Sequence, residues 1–359
     1  MSNRVSKVFR RQHLHIISTV VLLTLSSCVS VSPQRITTDR MDYGQVVADS
    51  WKRQTLLNVV RLRYSDAPVF LDVSSIINSY SVGGKASAKA TLPERVDPNI
   101  FELGAEGVWS NTPTVTYQPL MGDRFTKSLL QPVPPAAVFQ LMQGGWPADM
   151  VLQTVVGSIN GLRNSAMGVD ADPRFYQLVE VLTRIQRNAG LGIRVESRKD
   201  SNTVMVVMKR NGANEALMKD AILVQELLNL ESGVGEFEIA YGLVPKTKSE
   251  VAMLSRSMLE IMLQLGAGID IPSQHTRDGR VLTGIAKAGD VAAKPLVHVH
   301  SGVQRPEDTY AAVPYKGYWY WIDDKDVASK RTFTFLLILF SLAETGQATA
   351  SPVVTVPSR

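Results

Sequence analysis

Two of the chain's histidines, His298 and His300, stand two residues apart within "LVHVHSG". Alternate residues of an extended strand share a face. Two imidazoles on one face are the beginning of a Zn²⁺ site, with His275 as the candidate third ligand. A His pair on a strand more commonly serves structure or meets solvent, so no metal and no other cofactor is expected. "YKGYWYW" is the densest aromatic run. Within it Tyr318, Trp319 and Trp321 are candidate contacts for a sugar or a peptide; placement at a membrane interface and plain sheet packing are the alternatives. Asp323, Asp324 and Asp326 crowd one segment. Capping a helix and complementing its dipole is the expected work of such carboxylates, since the twelve-residue loop pattern of a Ca²⁺ site is not there. The chain has no G-x-S-x-G, no P-loop and no H-E-x-x-H. "GLGIRVES" sets its glycines before a strand, not before a phosphate-cradling helix. The protein is therefore not expected to be an enzyme, and no catalytic residue is assigned.

The remaining reactive group is the thiol of Cys28, the only cysteine among 359 residues. What precedes it has a definite order. "MSNRVSKVFRRQHLH" carries Arg4, Lys7, Arg10 and Arg11 and no acid; apolar "IISTVVLLTL" follows, then small residues. Charged, apolar, small is the order of a secretory signal, and the apolar run is too short to span a bilayer comfortably. "LSSC", Leu25 to Cys28, resembles the lipobox of bacterial lipoproteins. The alternative is an ordinary signal peptide whose small-residue site includes a cysteine. The lipobox resemblance implies cleavage between Ser27 and Cys28 and a covalent lipid on the Cys28 sulfur. Because Val29 rather than Asp follows, it also implies the periplasmic face of the outer membrane. Acyl chains added together hold a protein firmly to a bilayer, and no thiol would then remain for disulfides or Cys-ligated metals.

Charge narrows the partners. The formal charge is +5, from 38 basic and 33 acidic residues. Without the four basic residues of the signal, 34 face 33 and the balance is nearly neutral. A general nucleic-acid role is excluded on that ground. The expected partners are the membrane, through the lipid, and other copies or envelope proteins.

The elements that would carry these residues follow from periodicity. Residues 1–27 are read as signal peptide and 28–41 as a lipidated tether, polar and holding Pro33. A body of three parts follows, 42–150, 151–243 and 244–359. From Asp42 a helix presents Val47, Trp51, Leu56, Val59, Val60 and Arg63 as a stripe, with Lys52, Arg53 and Arg61 mostly off it. "DRFTKSLLQ" and "PPAAVFQLMQ" are short helices. Asp172 and Pro173 cap a helix with Leu178, Val181, Leu182 and Ile185 inward. Strands "GIRVES" and "TVMVVMK", a helix through Leu217, Ala221, Val224 and Leu228, and the strand "FEIAYG" come next. A third helix is expected over 249–265, with Val251, Leu254, Met258, Ile261 and Leu265 inward. "YKGYWYWI" is read as one strand, Asp323 or Asp324 as the opening of a final helix with a buried apolar core, and "ASPVVTVPSR" as an edge strand. The fold class is α+β, with a small α-β-β-α-β periplasmic domain and a long amphipathic β-hairpin.

That hairpin has two arms, Ile76–Leu92 and Phe101–Tyr117, around the turn-rich "PERVDPN". One parity of the first arm holds Ile76, Tyr80, Val82 and Ala86; one parity of the second holds Leu103, Trp109 and Tyr117. The other parities are mostly Ser, Thr, Lys, Glu and Gly. Two-faced arms of about seventeen residues exceed the roughly 9–11 of a membrane strand and the usual 5–6 of a soluble one. A hairpin lying over a periplasmic core and a hairpin donated to a multi-copy membrane barrel both answer to this pattern. The second is the architecture of the curli secretion lipoprotein, a comparison of architecture and not of motif. The α-β-β-α-β order likewise resembles the small ring-building domains of secretion lipoproteins. Stretches such as "NVVRLRYSDAPVFLDVSSI" and "YWYWIDDKDVASKRTFTFLLILFSLAETG" look similar to proteobacterial outer-membrane lipoproteins, a likeness that brings no activity with it. The expected function is a structural or assembly role in the envelope, with a monomeric binding lipoprotein for peptide or glycan as the alternative.

The lipid assignment has a direct test. Metabolic labelling with palmitate marks the wild-type chain, and Cys28→Ala abolishes the label. Equal label on both would overturn the anchor.

Overall fold

The structure, a computed structural model, describes residues 33–90, 101–166, 169–198, 201–208, 215–233, 235–282 and 295–344. It is mixed α+β, as expected. In chain order the elements are α1 (Pro33–Arg63), β1 (Leu71–Ala90), β2 (Phe101–Pro119), α2 (Gly122–Phe125), which runs into a π-helical turn at Thr126–Leu130, α3 (Pro135–Gln143) and α4 (Ala148–Val155). Then come β3 (Val156–Ile159), β4 (Leu162–Arg163), α5 (Pro173–Arg187), β5 (Leu191–Arg198), β6 (Ser201–Met208), α6 (Glu215–Leu227), β7 (Glu236–Tyr241) and β8 (Glu250–Ser255). The chain ends with α7 (Met258–Gly266), α8 (Ser273–Arg277), β9 (His300–Gly302), β10 (Thr309–Tyr315), β11 (Tyr318–Asp323) and α9 (Val327–Glu344).

Residues 1–50 and 51–359 form separate units. In the first, the described residues 33–50 are helical, so the helix expected from Asp42 begins earlier, within the segment read as tether. Pro33 suits a first helical position, where its missing N–H costs nothing, and Gln34, Arg35 and Met41 are good helix formers. Among the described residues no helix is long and apolar enough to cross a membrane.

In the second unit one hydrophobic cluster runs from Leu56 to Phe340. Its centre is a six-stranded sheet in the order β4-β3-β8-β7-β6-β5. Among the described strands of this sheet, β7 and β8 pair in parallel and the other neighbours antiparallel. β8 lies between β3 and β7, so the sheet crosses the boundary expected at 243/244. Asp172 caps α5 as expected, its carboxylate accepting from the Arg174 N–H at 2.9 Å. The helix expected over 249–265 is instead a strand followed by a helix. In β8, Val251, Ala252 and Met253 are all buried, and a strand covered on both faces reads as a continuous apolar run that periodicity cannot tell from a helix. The boundary is a capping box. Glu260 N–H donates to Ser257 Oγ at 3.2 Å, and the Glu260 carboxylate accepts from Ser257 N–H at 2.7 Å.

Two tight turns shape the rest. Asn160 and Gly161 have φ of +43° and +81° between β3 and β4, and Lys316 and Gly317 have +46° and +85° between β10 and β11. Two successive left-handed residues are what a two-residue hairpin with right-handed strand twist requires. "YKGYWYWI" is therefore a reversal between two strands, not one strand. β10, β11 and β9 form an antiparallel sheet with β11 in the middle. α9 buries Phe333, Phe335, Leu336, Leu339 and Phe340. Its cap is Asp326 rather than Asp323 or Asp324: the Asp326 carboxylate accepts from Ser329 N–H at 3.1 Å and Ser329 O–H at 2.6 Å. Asp323 accepts from Lys325 N–H, and Asp324 pairs with Lys330. "ASPVVTVPSR" lies outside the described residues.

Arg256 joins β8 to α7 and is buried, and among the described residues no carboxylate is hydrogen-bonded to it. Its guanidinium donates to the carbonyls of Gln153 at 2.9 Å and Thr154 at 3.1 Å, in the last turn of α4, and to that of Ser165. A cation at a helix C-terminus satisfies orphan carbonyls and complements the dipole. Burial lowers this guanidinium to about 10, so it stays charged at neutral pH. Arg256→Ala leaves three carbonyls without their charged donor and is expected to cost about 3 kcal/mol. Ser257→Ala, which removes only the cap, is expected to cost about 1 kcal/mol. Urea unfolding of both variants checks the order; an Arg256→Ala protein as stable as wild type would refute the role.

Candidate functional site

β11 separates two chemistries by alternation. Tyr318 and Tyr320 take one face, and Trp319 and Trp321 the other.

On the tyrosine face the hydroxyl of Tyr320, a fully buried side chain, lies 2.5 Å from that of Tyr64, which also shares a hydrogen bond of 2.6 Å with His275 Nδ1. The rings meet edge to face, with centroids 6.2 Å apart for Tyr64–Tyr320, 5.5 Å for Tyr64–His275 and 4.9 Å for His275–Tyr318. This is the favoured offset for ring quadrupoles. At the rim Tyr315 O–H donates to Asp66, and Lys316 Nζ sits 2.7 Å from the same carboxylate. Lys316 also lies over the rings of Tyr64 and Tyr315 at 5.1 and 5.4 Å. The hydrogen bonds from Lys316 and then Tyr315 hold the Asp66 carboxyl below its usual range. Burial raises Tyr64 and Tyr320, and burial followed by the Asp66 contact pushes Tyr315 up to about 12. Burial first, then Arg280, lowers His275. The cluster is thus neutral hydroxyls and a neutral imidazole clamping α1, α8 and β11 together. His275 is not a third metal ligand: it is 2 % exposed and its Nδ1 is engaged by Tyr64. Tyr318 belongs to this packing rather than to a ligand surface with the tryptophans.

The tryptophan face is half open. Trp321 pairs across the sheet with His300, and Trp319 with Gly302. The His300 ring stacks on Trp321 with centroids 5.5 Å apart and planes 29° apart. The rings of His298 and His300 lie 4.1 Å from each other. Both converge on Asp270: Oδ2 is 3.0 Å from His298 Nε2 and 3.6 Å from His300 Nδ1. The Arg305 guanidinium lies 5.5 Å from the Trp319 ring centroid, within range of a cation–π contact. Two residue sets that the sequence presents as separate candidates, the His pair and Trp319/Trp321, therefore share one surface. Asp270 completes it, 28 residues before His298 in the chain. Nothing local in the sequence marks Asp270; it arrives because Ile269 bridges to Val299.

Of the other candidates, Ser27 and Cys28 lie outside the described residues. Ile76, Tyr80, Val82 and Ala86 stand on β1, and Leu103, Trp109 and Tyr117 on β2. A separate groove is lined by Tyr176, Thr183, Arg184 and Arg187 of α5 with Asp149 and Gln153 of α4; its charged groups include Arg184, already paired with Asp220 at 2.7 Å. No protein-family model, curated protein or solved structure matches the chain.

The lowered His275 value has a signed consequence. In the unfolded chain the ring titrates near 6.5; in the fold it does so lower. The stability this group contributes is present above about pH 6.5 and is lost as pH falls through the folded value. The groups facing the ring are Tyr64, Tyr318, Asp278, Arg280 and Lys316. The urea midpoint of the wild type is expected to fall between pH 7 and pH 5 more steeply than that of His275→Gln. Parallel slopes would refute the assignment.

Proposed function

We propose that the chain is an outer-membrane lipoprotein, held by lipid on Cys28 with a periplasmic body, and that its work is assembly: copies join through the β1–β2 hairpin, as the subunits of an export channel would. The observation that carries this reading is the register of that pair. β1 and β2 are paired from Leu71–Pro119 to Ala90–Phe101 with a single irregularity between Val73 and Ser75. Directly opposed positions share a face. Ile76 opposes Val115, Val82 opposes Trp109, Ala86 opposes Ala105, Ala88 opposes Leu103 and Ala90 opposes Phe101. On the other face Lys85 opposes Glu106 and Lys89 opposes Glu102. The register thus adds the apolar parity of one arm to the apolar parity of the other, and matches opposite charges on the polar side.

The root of the pair is bound to the body. Gln54 and Asn58, four residues apart on α1, each exchange two hydrogen bonds with a backbone residue, Leu71 and Val69, at 2.8–3.1 Å. Arg124 pairs with Asp72 at 3.0 Å. Yet Leu71, Val115 and Tyr117, on the apolar face at this root, are 43, 38 and 56 % exposed. Among the described residues no third strand joins the pair. Twenty residues at about 3.4 Å each make strands of roughly 65 Å, against a hydrocarbon core of about 30 Å. Long strands that no third described strand joins are a template for further strands, and in a membrane only closure with other copies satisfies such edges. The α5-β5-β6-α6-β7 run is the part that a ring-building domain would supply.

A second reading, a monomeric periplasmic binding lipoprotein for peptide or glycan, draws on the half-open tryptophan face with Arg305 beside Trp319. The size of the detergent-extracted protein separates the two. Assembly predicts a multi-copy ring in negative stain, with residues 76–117 protected from protease in intact membranes. Val82→Asp with Trp109→Asp, opposed on the apolar face, is expected to leave only folded monomers. Wild-type monomers with 76–117 open to protease would sink the assembly reading and leave the binding one.

A further inference from the structure

We infer that Asp270, His298 and His300 bind a divalent transition-metal ion of the zinc class, with a coordination position open to solvent. Metal–ligand bonds of about 2.0–2.2 Å at tetrahedral angles set neighbouring ligand atoms roughly 3.3–3.5 Å apart. The two distances to Asp270 Oδ2, 3.0 and 3.6 Å, straddle that spacing, and one ligand atom from each of the three residues falls within 4.8 Å of the others. Two imidazoles and one carboxylate suit Zn²⁺, Ni²⁺ or Cu²⁺ rather than the all-oxygen preference of Mg²⁺ or Ca²⁺. An ion pair with Asp270 would need one imidazole only. Here a second ring is brought alongside the first, 4.1 Å away, and onto the same oxygen, which is the convergence a shared ion needs.

The backbone beneath these side chains is fixed before any ion arrives. Asp270 N–H donates to Val299 C=O at 2.8 Å and Val299 N–H to Gly268 C=O at 3.0 Å, so the segments bearing the ligands run side by side. Gly268 makes that approach possible, since a Cβ there would stand 2.0 Å from the Val297 carbonyl oxygen. His298 N–H is held by Ser329 Oγ at 2.8 Å, and Ser329 by Asp326. Trp321 lies against the His300 ring and limits its rotation. Ligands locked by such support are what a metal site needs. The ligand side chains are between a third and a half exposed, so an ion enters from solvent without any opening of the fold.

This inference is independent of the anchoring and assembly reading, and its test uses metal alone. Full-length protein in detergent, prepared without a polyhistidine tag, is titrated with Zn²⁺ by calorimetry. His13 and His15 lie elsewhere in the chain, so the deciding quantity is the difference between wild type and variants. The wild type is expected to take one Zn²⁺ per chain at a site that Asp270→Asn and the pair His298→Ala/His300→Ala each weaken at least tenfold. Cu²⁺ is expected to quench Trp321 fluorescence in the wild type and not in the double variant. Asp270→Asn keeps the side-chain shape, so it decides the matter even where the double variant is poorly folded. No one-to-one Zn²⁺ binding by the wild type, or less than tenfold weakening in Asp270→Asn, overturns the inference.

Discussion

A buried guanidinium holds the junction of β8 and α7 against the end of α4. Arg256 sits where β8 gives way to α7, with its charge spread over carbonyls from the end of α4 and from Ser165. A charge so placed is costly unless each donor is matched. The match sets where α4 stops, where β3 and β4 turn back, and where Ser257 can begin the next helix. The helix that follows, α7, ends at Gly266, and the next turn brings Gly268 to Val297 and Asp270 to His298 and His300.

Alternation does similar work in two places. In β11 it sends tyrosines into a neutral, hydrogen-bonded interior and tryptophans toward a half-open face. On the tyrosine side each described hydroxyl has a partner, and burial raises Tyr64, Tyr315 and Tyr320. The tryptophan side keeps polar groups, Asp270, His298, His300 and Arg305, at the surface beside flat apolar rings. The same period of two runs along β1 and β2, whose register sets Val82 opposite Trp109 and Lys85 opposite Glu106.

Where local pattern and tertiary burial agree, the fold was legible. The stripe of α5, with Asp172 and Pro173 at its start, needed nothing beyond its own residues. So did the apolar burial of α9. Where a segment is covered on both faces, the pattern loses its period: Val251, Ala252 and Met253 look the same to a helix and to a central strand. The capping box Ser257–Glu260 was a readable local signal that this apolar run overshadowed, and the turns Asn160–Gly161 and Lys316–Gly317 were readable from their own residues.

What the residues alone determined is the order of charged, apolar and small groups leading to the lone Cys28, the alternation of the long arms, and the spacing of His298 and His300, since each depends on neighbours within a few positions. What only the tertiary structure decided is which distant partners these groups meet. Asp270 rather than His275 faces the imidazoles, and His275 is taken by Tyr64. Those outcomes follow from hydrogen bonds between segments far apart in the chain, such as Val299 with Gly268 and Asp270, which no local spacing encodes.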